Sequence, residues 1–197
     1  MMTRSITGIA AAVALASALA CASDKPMSPR EVRIPLFERM GGDDNLGIHL
    51  NGDGEVPARP SQGQGQAIFR ISDDGQSVEY KLIASNIDNV FMAHIHLAPP
   101  GVNGPIVEWL FPGTAAVPGP VGAGRVEGVL ATGTFTAANL VGPLAGHPLS
   151  DLLAAMRNDS TYVNVHTNDG IAPTNTGPGD FPGGEIRGQL SVPGSKM

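Results

Sequence analysis

The sequence is short of most of what covalent or charged chemistry draws on. It holds one cysteine, Cys21, in 197 residues. No internal disulfide can form, so stability has to come from packing. Charged residues make up 15% and aromatics 5%. There is no long periodic run of Ala, Glu, Lys and Leu, which excludes a coiled coil or helical bundle. Basic residues number 12 against 18 acidic ones, for a formal net charge of -6. Nothing supplies a basic footprint for phosphates, so a nucleic-acid binder is excluded. A Gly-x-Ser-x-Gly elbow, a Ser-x-x-Lys pair, a His-Glu-x-x-His helix and a phosphate-cradling glycine loop are all absent from the chain, which removes the commonest hydrolase and nucleotide signatures. The lone cysteine lies in the export region, so thiol catalysis has no support.

Turn-forming residues are plentiful, with 26 Gly and 17 Pro. Apolar residues still reach 42%, enough for the core of one ordinary domain. That combination favours many short strands joined by tight turns.

The chain begins as an address. Arg4 precedes a run of apolar and small residues over 6–20, ending Ala18-Leu19-Ala20-Cys21. About fifteen residues is short for a membrane span, and the pattern reads as a secretory signal. Cys21 stands where a bacterial lipoprotein carries its lipid, although Ala18 and Leu19 depart from the usual pattern before such a cysteine. Three outcomes stay open: lipid attachment at Cys21, plain cleavage near Ala20 or Ala22, and an uncleaved anchor helix. Each puts the mature protein on the periplasmic side of a bacterial membrane. Residues 21–45, with Pro26, Pro29 and Pro35, read as a tether. The domain is expected over 46–193, with a tail at 194–197.

Within the domain, period-2 alternation marks the strands. Ala67, Phe69 and Ile71 share one face, and Asp73-Asp74-Gly75 makes a turn into Val78, Tyr80, Leu82 and Ala84. Phe91, Ala93, Ile95 and Leu97 form a third inward-facing set. Further strands are expected at 105–111, 125–135, 162–167 and 185–192. Leu149, Leu152, Leu153 and Met156 fall at helical spacing, which predicts one short helix near 149–157 with Ser150 as its cap. Two long loops, 112–124 and 171–184, separate these elements. The sum is an all-β domain: an antiparallel, immunoglobulin-like or barrel-like β-sandwich of seven or eight strands.

Several segments in this order resemble the CHRD domain, a module first described in chordin and also found in bacterial exported proteins. They are Leu50-Asn51-Gly52 with Glu55-Val56-Pro57, and the hairpin over 65–82. They continue with Ala93-His94-Ile95-His96, Gly104-Pro105-Ile106-Val107, Tyr162-Val163-Asn164-Val165-His166-Thr167 and Gly184-Glu185-Ile186-Arg187-Gly188-Gln189-Leu190. Residues 171–181 look like an insertion between the last two motifs. The resemblance implies an all-β fold and little about activity. Chordin's setting of protein binding in animals does not carry over to a bacterial export signal.

His94 and His96 are one residue apart, so both point to one face of their strand, with Met92 beside them. Tyr162, Asn164 and His166 share the equivalent face of the late strand. Were the two strands neighbours, three imidazoles would converge. Imidazole suits copper or zinc, and a nearby thioether leans towards copper. Two other readings stand beside a metal site: hydrogen bonding of these histidines to loop carbonyls and to each other, and redox catalysis. The pattern is also similar to copper/zinc superoxide dismutase, a β-barrel with a His-x-His strand and a late histidine. The likeness is partial, because no disulfide can form and only His49 and His147 remain as further histidines.

Glu185 and Arg187 read as a surface ion pair on one strand. Asp43-Asp44, Asn51-Gly52-Asp53-Gly54 and Asn168-Asp169-Gly170 lack EF-hand spacing and read as turns rather than calcium loops. The functional expectation is a non-catalytic binding or assembly module on the outer face of a membrane protein or complex. It would be held to the membrane by a lipid on Cys21 or by its signal helix, and it requires no cofactor. The alternative is a copper- or zinc-binding protein using His94, His96 and His166, with a superoxide-dismutase-like enzyme behind it.

Overall fold

A computed structural model of the chain describes residues 45–113 and 117–190. The export segment, Cys21 and the tether up to residue 44 lie outside the described residues, as do Asp43-Asp44 and the tail at 194–197. No described helix is long and apolar enough to cross a membrane.

Eight strands form one antiparallel sheet: β1 (Asn45–Asn51), β2 (Gln64–Ile71), β3 (Ser77–Asp88), β4 (Val90–Leu97), β5 (Ile106–Phe111), β6 (Arg125–Thr136), β7 (Thr161–Thr167) and β8 (Ile186–Leu190). Their spatial order is β5-β4-β7-β8-β1-β2-β3-β6. The outermost strands, β5 and β6, approach each other, so the sheet curls into a nearly closed barrel. The single α-helix among the described residues, α1 (Leu149–Arg157), lies where the spacing places it and buries Leu149, Leu152, Leu153 and Met156. Its cap differs from expectation. Pro148 is the N-cap residue, with no side-chain hydrogen bond, and Ser150 sits inside the first turn. Proline needs no partner for an absent N–H and presets the backbone for helix entry.

Strands β2 and β3 alternate as their sequence does. Ala67, Phe69, Ile71, Val78, Tyr80, Leu82 and Ala84 are buried, while Arg70, Glu79 and Lys81 face water. The inward side chains join those of β1, β4, β5, β7, β8 and α1 in one apolar cluster, with Phe69 and Phe135 fully enclosed. Tyr80 fastens the seam. Its ring lies over Gly133, its partner on β6, where a Cβ would come within 2.7 Å of the ring. From there the hydroxyl donates to the Leu110 carbonyl on β5 at 2.7 Å. The Val107 carbonyl on the same strand accepts from Val141 N–H at 2.9 Å. Two carbonyls of a strand with one ladder neighbour are thereby satisfied.

The β4-β7-β8 part of the sheet is different, because it is buried on both faces. Every residue of β7 is buried, as are His94, His96 and Arg187 on its neighbours. Loops fold over the outward side and turn it into a second, polar interior. A register shift between Val90 and Met92 alters the alternation at the start of β4. Val90 joins the apolar cluster. Phe91, expected in that cluster, instead meets the His166 ring edge-on at 6.4 Å between centroids. A bulge inserts one residue and breaks period 2 at that point.

Candidate metal centre

Strands β4 and β7 are hydrogen-bonded neighbours, with Met92 opposite His166, His94 opposite Asn164 and His96 opposite Tyr162. This pairing brings the three imidazoles together. One ring nitrogen from each of His94, His96 and His166 lies within 4.8 Å of those of the other two. Their exposures are 0%, 7% and 5%, so the cluster is an interior site and not the outer patch that strand parity alone implies.

Two loop carbonyls fix the rings. His96 Nδ1 contacts the Gly104 carbonyl at 2.8 Å, and His166 Nδ1 contacts the Pro182 carbonyl at 2.9 Å. A carbonyl only accepts, so both Nδ1 atoms carry the proton and both Nε2 atoms present lone pairs. His94 Nδ1 lies 3.1 Å from His166 Nε2 and therefore donates to it. That leaves the Nε2 atoms of His94 and His96 buried with no hydrogen-bond partner among the described residues. Burial keeps all three rings neutral. It pushes His94 down to about 2, helped by the neighbouring imidazoles, and His166 to about 4, and it also lowers His96.

Neutral imidazoles, two of them anchored through Nδ1 to loop carbonyls, are the form in which histidine binds a metal. The 3.1 Å between His94 Nδ1 and His166 Nε2 also fits. An ion at about 2.0 Å from each nitrogen would subtend about 100° there. For Nδ1 of His94 to take the ion, its proton moves to Nε2. The carbonyl bonds are also what a purely structural histidine layer would make. What such a layer does not explain is the buried lone pair on His96 Nε2, which has no hydrogen-bond partner among the described residues.

Each imidazole has one aromatic companion. Trp109 meets His94 edge-on at 4.1 Å between centroids, Tyr162 stacks on His96 at 4.7 Å and 7°, and Phe91 meets His166. Over the Tyr162 ring, at 3.4 Å, lies the Arg187 guanidinium. Arg187 also donates to Asn103 Oδ1 and the Val102 carbonyl at 3.0 Å each. Met92 is half-buried and in register with His166.

The remaining polar groups of this interior were only partly legible. Glu185 and Arg187 form no surface ion pair, since both are buried, at 0% and 2%. Glu185 instead accepts from the Ser61 and Thr167 hydroxyls at 2.6 and 2.5 Å and from Gly179 N–H at 2.7 Å. It pins two loops to β7. Glu55, in the Glu55-Val56-Pro57 segment that resembles the CHRD pattern, is buried, and burial raises its carboxyl to about 7 against the pull of Arg187 and a bond from Asn164. Gly184, at φ 124°, leaves room for it. A Cβ there would collide with Glu55 Oε1 and Asn164 Nδ2. The Asx clusters behave as turns: Asn51 Oδ1 accepts from Gly54 N–H, Asn168 Oδ1 from Gly170 N–H, and Asp169 Oδ1 from Ile171 N–H. His49 is exposed, and His147 pairs with Asp151 on the surface at 2.9 Å. Neither joins the cluster.

No curated protein and no solved structure matches the chain. A family model, the CHRD domain, matches residues 46–190. The match runs from the first residues of β1 to the end of β8 and contains both histidine strands. With most of its length covered and the strands in the expected order, the chain belongs to the CHRD-domain family.

Proposed function

We propose that this CHRD-domain protein works outside the cytoplasm and holds one copper ion between His94, His96 and His166. The observation that carries the reading is the convergence of three buried imidazoles, in which the Nε2 of His96 has no hydrogen-bond partner among the described residues and His94 Nδ1 lies 3.1 Å from the Nε2 of a carbonyl-anchored His166. Copper is favoured over zinc because it stands above zinc in affinity for nitrogen donors, and the Met92 thioether on the neighbouring register position would favour it further. Export is supported by the basic start, the apolar run and the small residues before Cys21, and attachment by lipid at Cys21 or by the signal segment belongs to the same proposal.

The test uses the only tryptophan of the chain, which touches His94. Protein purified without chelators is titrated with Cu(II) while Trp109 emission is followed. Quenching that saturates at one equivalent, and that is lost in His96→Ala and His166→Ala, supports the site. Emission that stays flat through excess Cu(II) and excess Zn(II) removes it.

A second reading, docking on the outer face of a membrane protein, has its own support. Val117, Val121 and Ile171 are 60%, 49% and 68% exposed. They sit on two loops joined by the Gly122 N–H to Asn168 carbonyl bond at 2.8 Å. Exposed apolar side chains gathered on adjoining loops are a common mark of an interaction surface. A membrane protein that co-purifies in mild detergent with the wild type and is lost with Ile171→Asp is the expected result. An unchanged set of co-purifying proteins counts against docking through these loops.

A further inference from the structure

The copper reading raises the question of how an enclosed ion would exchange electrons. His94, His96 and His166 are all buried, so a protein partner cannot touch the ion and any electron has to cross side chains. The three aromatic companions are not equivalent as a route. Phe91 is 8% exposed, stands furthest from its histidine, and carries a ring that is hard to oxidise or reduce. Tyr162 is 2% exposed and covered by a guanidinium at 3.4 Å, a positive charge that opposes removal of an electron from that ring. Trp109 is in the closest contact, 4.1 Å from the His94 ring at 85°, and is itself only half-buried on β5.

We propose that Trp109 is the electron port of this domain, coupling a copper ion on His94 to an outer-sphere one-electron reductant that reaches the exposed part of its ring. The inference rests on the copper reading above and adds a redox role to it. The balance is simple. Cu(II) gains one electron and becomes Cu(I), while an outer-sphere one-electron reductant loses it. No bond forms or breaks, and no proton is transferred to or from the reductant. The reductant is defined by chemistry alone, as a one-electron carrier.

Stopped-flow reduction of the Cu(II)-loaded protein by hexaammineruthenium(II), followed by loss of the Cu(II) absorbance, tests the port. Each variant's copper stoichiometry and Cu(II) paramagnetic resonance spectrum are measured first. In Trp109→Leu, the rate is expected to fall by about tenfold with stoichiometry and spectrum unchanged. Trp109→Phe keeps an aromatic ring against His94, guards against loss of fold, and is expected to fall between the two. Equal rates in all three proteins overturn the port and leave the copper site standing. A changed copper spectrum in Trp109→Phe assigns Trp109 to holding His94 in place and also overturns it. Failure of the wild type to take up copper overturns both.

Discussion

Glu108 lies on β5 opposite Ile95, fully enclosed, and neither carboxyl oxygen has a hydrogen-bond partner among the described residues. Burial raises its carboxyl to about 8 from the ordinary 4.5, so it folds as the neutral acid. The consequence for stability has a definite sign. Between pH 4.5 and about 8 the unfolded chain releases a proton that the native state keeps. Stability therefore falls as pH rises through that window and levels off above it, by on the order of 5 kcal/mol for the full interval. His94 and His166 act at the acid end, because the unfolded chain binds protons below 6.5 that these buried rings refuse down to about 2 and about 4. Stability is lost there as pH falls. Glu108→Gln, which has the same shape and no charge, isolates the carboxyl. Its urea midpoint should exceed that of the wild type by more at about pH 9 than at about pH 5. An equal difference at both values would show that Glu108 is not held neutral.

Among the elements, the seam between β5 and β6 depends on one hydroxyl. Tyr80→Phe keeps the ring over Gly133 and removes the donor to the Leu110 carbonyl. A buried carbonyl left without its partner costs about 1–3 kcal/mol. Faster amide exchange is expected along β5 and β6 than along β1 and β2. Uniform loss of protection would mean that the seam opens only with the whole barrel. This level was largely readable beforehand. Period-2 alternation gave seven strands and the turn at Asp73-Asp74-Gly75, and helical spacing gave α1. The Leu50-Asn51-Gly52 match to the CHRD pattern gave the opening strand. Strand parity put His94, His96 and His166 on matching faces because it depends on backbone geometry alone. What parity could not give is neighbourhood. β4 and β7 are paired across long stretches of intervening chain, and no local signal encodes that. Phe91 was misplaced because a bulge has no compositional mark here. The burial of Glu55, Glu185 and Arg187 was missed because loops distant in sequence cover them.

Across the described residues as a whole, the organisation is one sheet with two interiors. The apolar cluster inside the barrel holds the fold together. The polar layer outside β4, β7 and β8 is roofed by loops and anchored through Gly104, Pro182, Ser61 and Gly179. The segment 171–181 contributes Gly179, whose N–H donates to Glu185, and Pro182 just after it supplies the carbonyl that orients His166. Native protein that binds copper is stabilised over the unfolded chain by mass action, so site and fold should be linked. The most direct measurement is the copper content of chelator-free protein after equilibrium dialysis against Cu(II), read with its paramagnetic resonance spectrum. The account predicts one copper per chain with a nitrogen-ligand signature, abolished in His96→Ala and His166→Ala. Wild-type protein that emerges without copper, or that carries the same copper as those variants, would contradict it.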